Sequence, residues 1–362
     1  MTDAPGNVKE WELERYRAGD EADMLGLFKL VFGNERSIEH WIWQFRNCPY
    51  GGPFATLARR RSDHLLVGQH VVMLNRLNVK GRPVGGCHSL DLAVHPDYRG
   101  QRIFDLTARD CFAWCLSHGI QFVIAFPNAS SYPGFVRTLG WNRILHPSRY
   151  VLRLGLGAPI RRSLRGVPLV ANAMDLVFRG ARRLQLNVRH ATLAGQAGRG
   201  VEFAISRTVP EGHEALWDAC RSQEVLSLWK DSEYLRWRYD ESPVHDFSYL
   251  YLVNDGVIVA LAVTVEVAAD VAICELMVRE HDVRLGRLLL SHICLHAMRH
   301  GADKVRFLGH DYGFFDEVFR GFERNTSFEN VFVGRAFADA ALDALACLPS
   351  NWTVTFGDGD FV

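Results

Sequence analysis

LAVHPDYRGQRIF, running from Leu92 to Phe104, joins two kinds of periodicity. A β-type run over 89–94 ends at His95-Pro96, a short polar turn follows, and Arg99-Gly100-Gln101-Arg102-Ile103-Phe104 opens an amphipathic helix. A strand–loop–helix junction of this kind aims free backbone N–H groups and the positive end of a helix dipole at one point, which suits a phosphate or pyrophosphate. Ile103, Leu106, Phe112, Ala113 and Leu116 fall on one helical stripe, so the spacing predicts a helix over 103–117. His118-Gly119 stops that helix, because glycine tolerates the left-handed backbone of the position after a helix end. The run 120–126 then reads as a buried strand.

A second block lies just beyond. Phe126-Pro127-Asn128 is followed by Ser130-Ser131-Tyr132-Pro133-Gly134-Phe135 and by Leu139-Gly140-Trp141. The first block resembles motif A of the GCN5-related N-acetyltransferases (GNAT), Arg/Gln-x-x-Gly-x-Gly/Ala after a strand ending in Val-x-Pro. The second resembles their motif B, where an asparagine after a strand precedes a short helix ending in Leu-Gly-Phe. Arg102 and Phe104 depart from the family pattern, which has glycine and then glycine or alanine there. The resemblance implies a mixed α/β (α+β) sheet fold and acetyl-CoA or another acyl-CoA as co-substrate. It implies contacts to that co-substrate from Leu92, Ala93, Val94, Arg99, Gly100, Gln101, Arg102, Ile103, Phe104 and Asn128.

The chain of 362 residues is long enough for two cores, and 41 basic residues balance 41 acidic ones. Nothing in that charge balance argues for a nucleic-acid partner. Eight cysteines are scattered without zinc-like or redox spacing and read as reduced core thiols, with no metal site, as in a cytoplasmic protein. The opening MTDAPGNVKEWELERYR lacks the apolar centre of a signal peptide. No apolar run approaches the roughly 18 residues of a membrane span.

The sequence also echoes itself. Trp43-Gln44-Phe45-Arg46-Asn47-Cys48-Pro49 returns as Trp237-Arg238-Tyr239-Asp240-Glu241-Ser242-Pro243, and Asp91-Leu92-Ala93-Val94 as Glu275-Leu276-Met277-Val278. Arg99–Phe104 matches Arg284–Leu289, and His118-Gly119 matches His300-Gly301. Offsets near ~190 residues are too long for a solenoid and indicate two tandem copies of one domain. The expected division is a GNAT domain with the acyl-CoA site over 1–150, an arginine-rich helical linker over 151–200, and a degenerate GNAT-like domain over 201–362. The second copy has Glu280-His281-Asp282 in its loop and no motif B asparagine. Between Val151 and Gly200 stand nine arginines and one acid, Asp175, which makes a basic amphipathic element able to rest on anionic lipid or meet a phosphorylated substrate, or a linker with a solvated face. The alternating Trp352–Phe356 reads as a closing strand, followed by Asp358 and Asp360 near the end.

Acyl transfer to an amine requires a base, a polarised thioester oxygen and a route for the leaving thiolate. In the resembled family a backbone N–H of the strand before the loop polarises the oxygen, and this strand is 90–94 here. His88, with an ordinary pKa near neutrality, and Asp91 are the candidate bases. Strand alternation sets Asp91 and Ala93 on one face, with Leu92 and Val94 on the other. The tyrosine that many family members use as acid is replaced by Val136, which leaves Tyr132, one helical turn earlier, as candidate acid. The ending and the Trp-x-Phe-x-x-x-Pro segments also resemble tandem bacterial acetyltransferases of surface-polysaccharide building. That implies an amino sugar or nucleotide-linked amino sugar as acceptor, with Asp358 and Asp360 drawing in the ammonium. An aminoglycoside-like amine, a protein lysine, or a non-catalytic acyl-CoA-binding role stay open.

Overall fold

The structure is a computed structural model that describes residues 9–157, 167–197, 200–325 and 331–359. Contacts divide it into two compact units, one of residues 1–77, 83–144 and 332–348, the other of 78–82, 145–331 and 349–362.

In the first unit the chain forms β1 (Trp11–Arg15), α1 (Glu21–Phe32) and α2 (Ile38–Trp41), which runs into a π-helical turn over Ile42–Arg46. Next come β2 (Phe54–Arg60), β3 (Leu66–Val79), β4 (Arg82–Val94), α3 (Ile103–Ser117), β5 (Phe122–Ala125) and β6 (Asn142–Leu145). Later chain completes the unit with β15 (Phe332–Ala336) and α9 (Ala340–Ala346). Its sheet runs β1-β2-β3-β4-β5-β15-β6. Buried Ile103, Ala108, Cys111, Phe112 and Cys115 of α3 supply the apolar face that holds this helix.

The second unit holds β7 (Ser148–Arg153), α4 (Pro168–Ala197), β8 (Val201–Ser206), α5 (His213–Arg221), β9 (Leu226–Leu228) and α6 (Ser232–Leu235), with a π-helical turn over Arg236–Asp240. It continues through β10 (Phe247–Asn254), β11 (Val257–Val267), β12 (Asp270–Val278), α7 (Val283–Arg299), β13 (Lys304–Gly309), α8 (Gly313–Val318) and β14 (Glu323–Asn325). Its sheet runs β14-β7-β13-β12-β11-β10-β8. Leu288, Leu289, Ile293 and Ala297 of α7 pack on Ile273, Val305 and Phe307 of that sheet in one apolar core.

The two echoing Trp-x-Phe/Tyr-x-x-x-Pro segments have the same local structure. Each is preceded by a one-turn helix capped by a side-chain oxygen, Ser37 Oγ to the His40 N–H at 3.1 Å and Asp231 Oδ1 to the Tyr234 N–H at 2.9 Å, and each starts within the π turn that follows.

Three expectations change. The units are not the contiguous blocks 1–150 and 201–362. β15 pairs antiparallel with β5, Val333↔Ala125 to Ala336↔Phe122, while β7 pairs with β13, so each sheet takes in a strand from beyond the expected boundary. Within 151–200, the described part from Pro168 is one 30-residue helix that belongs to the second unit; residues 158–166 and 198–199 lie outside the described residues. The closing strand at Trp352–Phe356 is also absent, being replaced by isolated bridges at Trp352 and Thr355 and a 3-10 turn over Phe356–Asp358. Glycines at 357 and 359 flank Asp358 and favour a turn over continued pairing.

Candidate active site

β4 and β5 pair in parallel only over Gly86↔Phe122, Cys87↔Val123 and His88↔Ile124. β4 runs on to Val94, while the chain after Ala125 turns away through Phe126-Pro127-Asn128. The two strands therefore part within the first unit, and backbone groups of β4 from Ser89 onward have no β5 partner. On its other side β4 stays anchored, the His95 N–H donating to the Val67 carbonyl at 2.9 Å.

The loop after β4 turns through a 3-10 segment, Pro96–Tyr98, and Gly100 takes a φ of +82°. Arg102, the residue before α3, also sits in the left-handed region at φ 63° and gives the helix no side-chain cap. First-turn N–H groups of a helix have no intrahelical acceptor. Those of Ile103, Phe104 and Asp105 thus form, with the exposed loop at Gly100 to Arg102, a donor set that fits an anionic phosphate group.

Several side chains of the loop are engaged elsewhere. The Gln101 Oε1 accepts from the Trp11 indole at 3.1 Å, and Arg102 pairs with Asp105 at 3.0 Å while staying exposed. Phe104 explains how a bulky residue fits where the family has a small one. A Cβ on Gly134 would lie 2.5 Å from the Phe104 ring, so the ring occupies the space that the missing side chain at 134 leaves. Ile103 is buried beside Tyr98, Val67 and Ala58. Asn128 is exposed, and its Oδ1 accepts from the N–H groups of Ser130 (3.1 Å) and Ser131 (3.0 Å), which caps the turn that leads into the π-helical Gly134–Thr138. Tyr132 is half-buried in that same turn, its N–H bonded to the Asn128 carbonyl at 2.9 Å.

Asp91 departs from regular alternation. Its φ of +31° breaks the strand's two-residue period, and its carboxylate pairs with Arg36 at 2.5 Å, both side chains being almost fully buried. The Arg36 guanidinium also lies 4.4 Å from the Phe28 ring centroid. His88 is buried with its ring edge-on to Phe126.

Sequence reasoning missed Arg36 and a set of polar residues on β3. His70 is fully buried, with Nε2 2.8 Å from Ser89 Oγ, and burial lowers its pKa to about 3, which keeps it neutral. Gln69 Oε1 and both polar atoms of the Asn75 side chain are buried without a hydrogen-bond partner among the described residues. Asn75 Oδ1 would lie 2.5 Å from a Cβ at Gly86, so it covers the strand face on which alternation also sets His88. The available signal was polar residues embedded in the apolar run LVGQHVVMLNRL.

The second unit repeats the parting of strands and then fills it. β12 and β13 pair from Asp270↔Lys304 to Ile273↔Phe307, after which β12 continues to Val278. Into this region comes the chain's own C-terminal segment: Thr355 bridges Gly309, and its Oγ1 donates to Glu275 Oε2 at 2.7 Å. The Lys230 ammonium lies between Glu275 (2.5 Å) and Asp358 (2.8 Å), all three buried. Asp358 is therefore a partner of Lys230 and not a solvated carboxylate at an acceptor site; Asp360 lies outside the described residues. Gly357 leaves no room for a Cβ against Tyr239 and Glu275. The helix end differs as well. Asp282 Oδ1 accepts from the Arg284 N–H at 2.7 Å, so a carboxylate already caps α7 where α3 has none. Beside the end of β12 remains a cavity of about 170 Å³, below the size of ordinary ligand pockets.

Residues 12–144 match a family model described as an acetyltransferase (GNAT) domain. Over that stretch, within the first unit, the chain is similar to a GNAT domain. Such a domain is an N-acyltransferase module that draws on an acyl-CoA, in agreement with the loop and helix end above. Solved structures agree on the fold. A GCN5-related N-acetyltransferase from Kribbella flavida is 15% identical with a TM-score of 0.63, covering 94% of this chain and 74% of its own. A GCN5-related N-acetyltransferase from Anabaena variabilis is 7% identical with a TM-score of 0.60, covering 90% and 72%. The Saccharomyces cerevisiae N-myristoyltransferase with bound myristoyl-CoA is 12% identical with a TM-score of 0.57, covering 93% and 85%. No curated protein matches the sequence. All eight cysteines are free thiols, and among the described residues no helix is long and apolar enough to cross a membrane.

Proposed function

We propose that the GNAT domain transfers an acetyl or other short acyl group to the nitrogen of a small amine, an amino sugar or its nucleotide-linked form. The observation that carries this reading is the uncapped start of α3 beside the parting of β4 and β5. An acyl-CoA supplies the acyl carbon there and a thiol leaving group. Backbone N–H groups from Gly100 to Phe104, with Arg99, hold its phosphates, and the free edge of β4 at Leu92, Ala93 and Val94 runs along its arm, with Asn128 fixing the turn opposite.

His88 is the proton acceptor in this reading. Asp91 already accepts from Arg36, which suits it to orienting that arginine or relaying through water. A β4 N–H stabilises the oxyanion, as donors aimed at developing charge do. Tyr132 is the candidate donor to the departing sulfur, although a thiol of pKa about 8.5 leaves without much help. The buried, unpartnered Gln69 Oε1 and Asn75 amide support a hydroxyl-rich acceptor, because uncharged donors and acceptors match sugar hydroxyls. The second unit is a degenerate copy of the same fold, its slot taken by residues 355–359.

Release of free CoA in the presence of amino sugars, nucleotide-linked amino sugars, aminoglycosides and lysine peptides tests the proposal. The expected result is turnover with an amino sugar. Acyl-CoA left intact with every amine would favour a binding protein, and preference for the peptide would replace the sugar reading.

A further inference from the structure

Among the described residues, eight large apolar side chains with high exposure fall between Val167 and Val188, a stretch that includes most of α4. Leu169 is 84% exposed, Leu176 74%, Val177 72%, Leu184 67% and Val188 61%. On a helical projection these five share one arc, interspersed with the small residues Ala173, Gly180 and Ala191. The opposite side is what holds the helix: Leu186 and Leu193 enter the core with α7, and Arg179 bonds to Asp303 and to the Ala302 carbonyl. Burial of α4 is thus complete without the apolar arc.

We propose that this arc lies on an anionic membrane surface. Charge decides the occupant. α4 carries four arginines and one acid. That acid, Asp175, is turned to Arg179 at 2.8 Å and to the Leu156 N–H at 2.7 Å. The exposed side of the helix therefore has no carboxylate. Arg183 borders the arc and is exposed; Arg182 reaches Gln185 at 2.8 Å from a half-buried position. A second copy of the chain would offer the same face, with nothing to pair with Arg183. A surface of phosphate headgroups over acyl chains meets both the apolar arc and the Arg183 cation at its border. The stretch from Leu169 to Val188 spans about 28 Å at ~1.5 Å per residue. It lies along the surface and does not cross it, since no described helix meets the requirements of a span.

This proposal stands apart from the acyl-transfer reading and needs no activity to test. The full chain is sedimented with vesicles of phosphatidylcholine alone and of phosphatidylcholine with phosphatidylglycerol. Binding to the anionic vesicles, weakened by salt, is expected, with little binding to the neutral ones. Leu176→Asp with Leu184→Asp, substitutions at exposed positions checked for folding by circular dichroism, should abolish it. Arg183→Gln should lower the partition constant about five-fold, whereas Arg182→Gln, on the packed side of the helix, should leave it unchanged. Equal binding to neutral vesicles, or none to anionic ones, overturns the proposal. So does a dimer in sedimentation velocity that Leu176→Asp dissociates without any lipid effect, because a second copy then covers the arc.

Discussion

Replacing Gly134 by alanine tests how Phe104 is accommodated at the start of α3. The added methyl would stand 2.5 Å from Phe104 Cζ and 2.8 Å from Cε1, against the ~3.5–4.0 Å of a relaxed carbon contact. The ring must retreat by about 1 Å, or the turn and α3 must separate. Overpacking of this kind costs about 1–3 kcal/mol, and alanine's better helical preference returns less than ~1 kcal/mol. A net loss of about 1–2 kcal/mol is expected in urea denaturation, with weaker acyl-CoA binding because the first-turn N–H groups move. Phe104→Leu should relieve the clash, so the double-mutant cycle should show a coupling of at least ~1 kcal/mol in the relieving direction. A coupling within ~0.3 kcal/mol of zero would refute the claim that Gly134 is what makes room for the ring.

Falling pH should destabilise the protein through its buried histidines. His70 is held near pKa 3 and His213 and His310 near 4, each by burial, so the unfolded chain binds more protons as pH falls below ~6.5. Their contribution is fully present above that value and is lost on descent toward the folded pKa values, at about 1.4 kcal/mol per pH unit for each; a flat stability between pH 7 and 5 would contradict it. Lys230→Met should cost about 3–5 kcal/mol, since Glu275 and Asp358 are left buried without their cation; denaturation midpoints would show it. His88→Ala should lower turnover roughly 10²–10⁴-fold with acyl-CoA affinity unchanged, whereas full activity from pH 6 to 9 would place the base elsewhere.

The extent of helix α3, Ile103–Ser117, was legible from its helical spacing, the polar loop before it and Gly119 after it, whereas its buried face turned out to run through Ala108, Cys111 and Cys115 and to leave Ala113 and Leu116 exposed. β5 was legible for a similar reason, in that a short apolar run ends at Pro127, but its parting from β4 was not read from the sequence. What depends on distant partners was not. Nothing near Phe332 marks it for pairing beside β5, and nothing near Ser148 marks β7 for β13. Asp358 looked like a carboxylate that draws in an acceptor ammonium because the lysine that neutralises it stands at position 230. Asp91 looked like a free base since neither Arg36 nor the positive φ leaves a mark in the strand's sequence. The conformation of the loop and helix start was therefore readable, because it rests on local backbone geometry, and the surrounding contacts were unreadable where side chains from separate elements converge.

Calorimetric titration of the intact chain with acetyl-CoA tests the central claim most directly. The account predicts one site per chain, abolished by Gly100→Pro, which removes a loop N–H and restricts a residue held at φ +82°, and unchanged by Arg284→Ala in the capped loop of the second unit. Two sites, or one site that survives Gly100→Pro and is lost with Arg284→Ala, would contradict it.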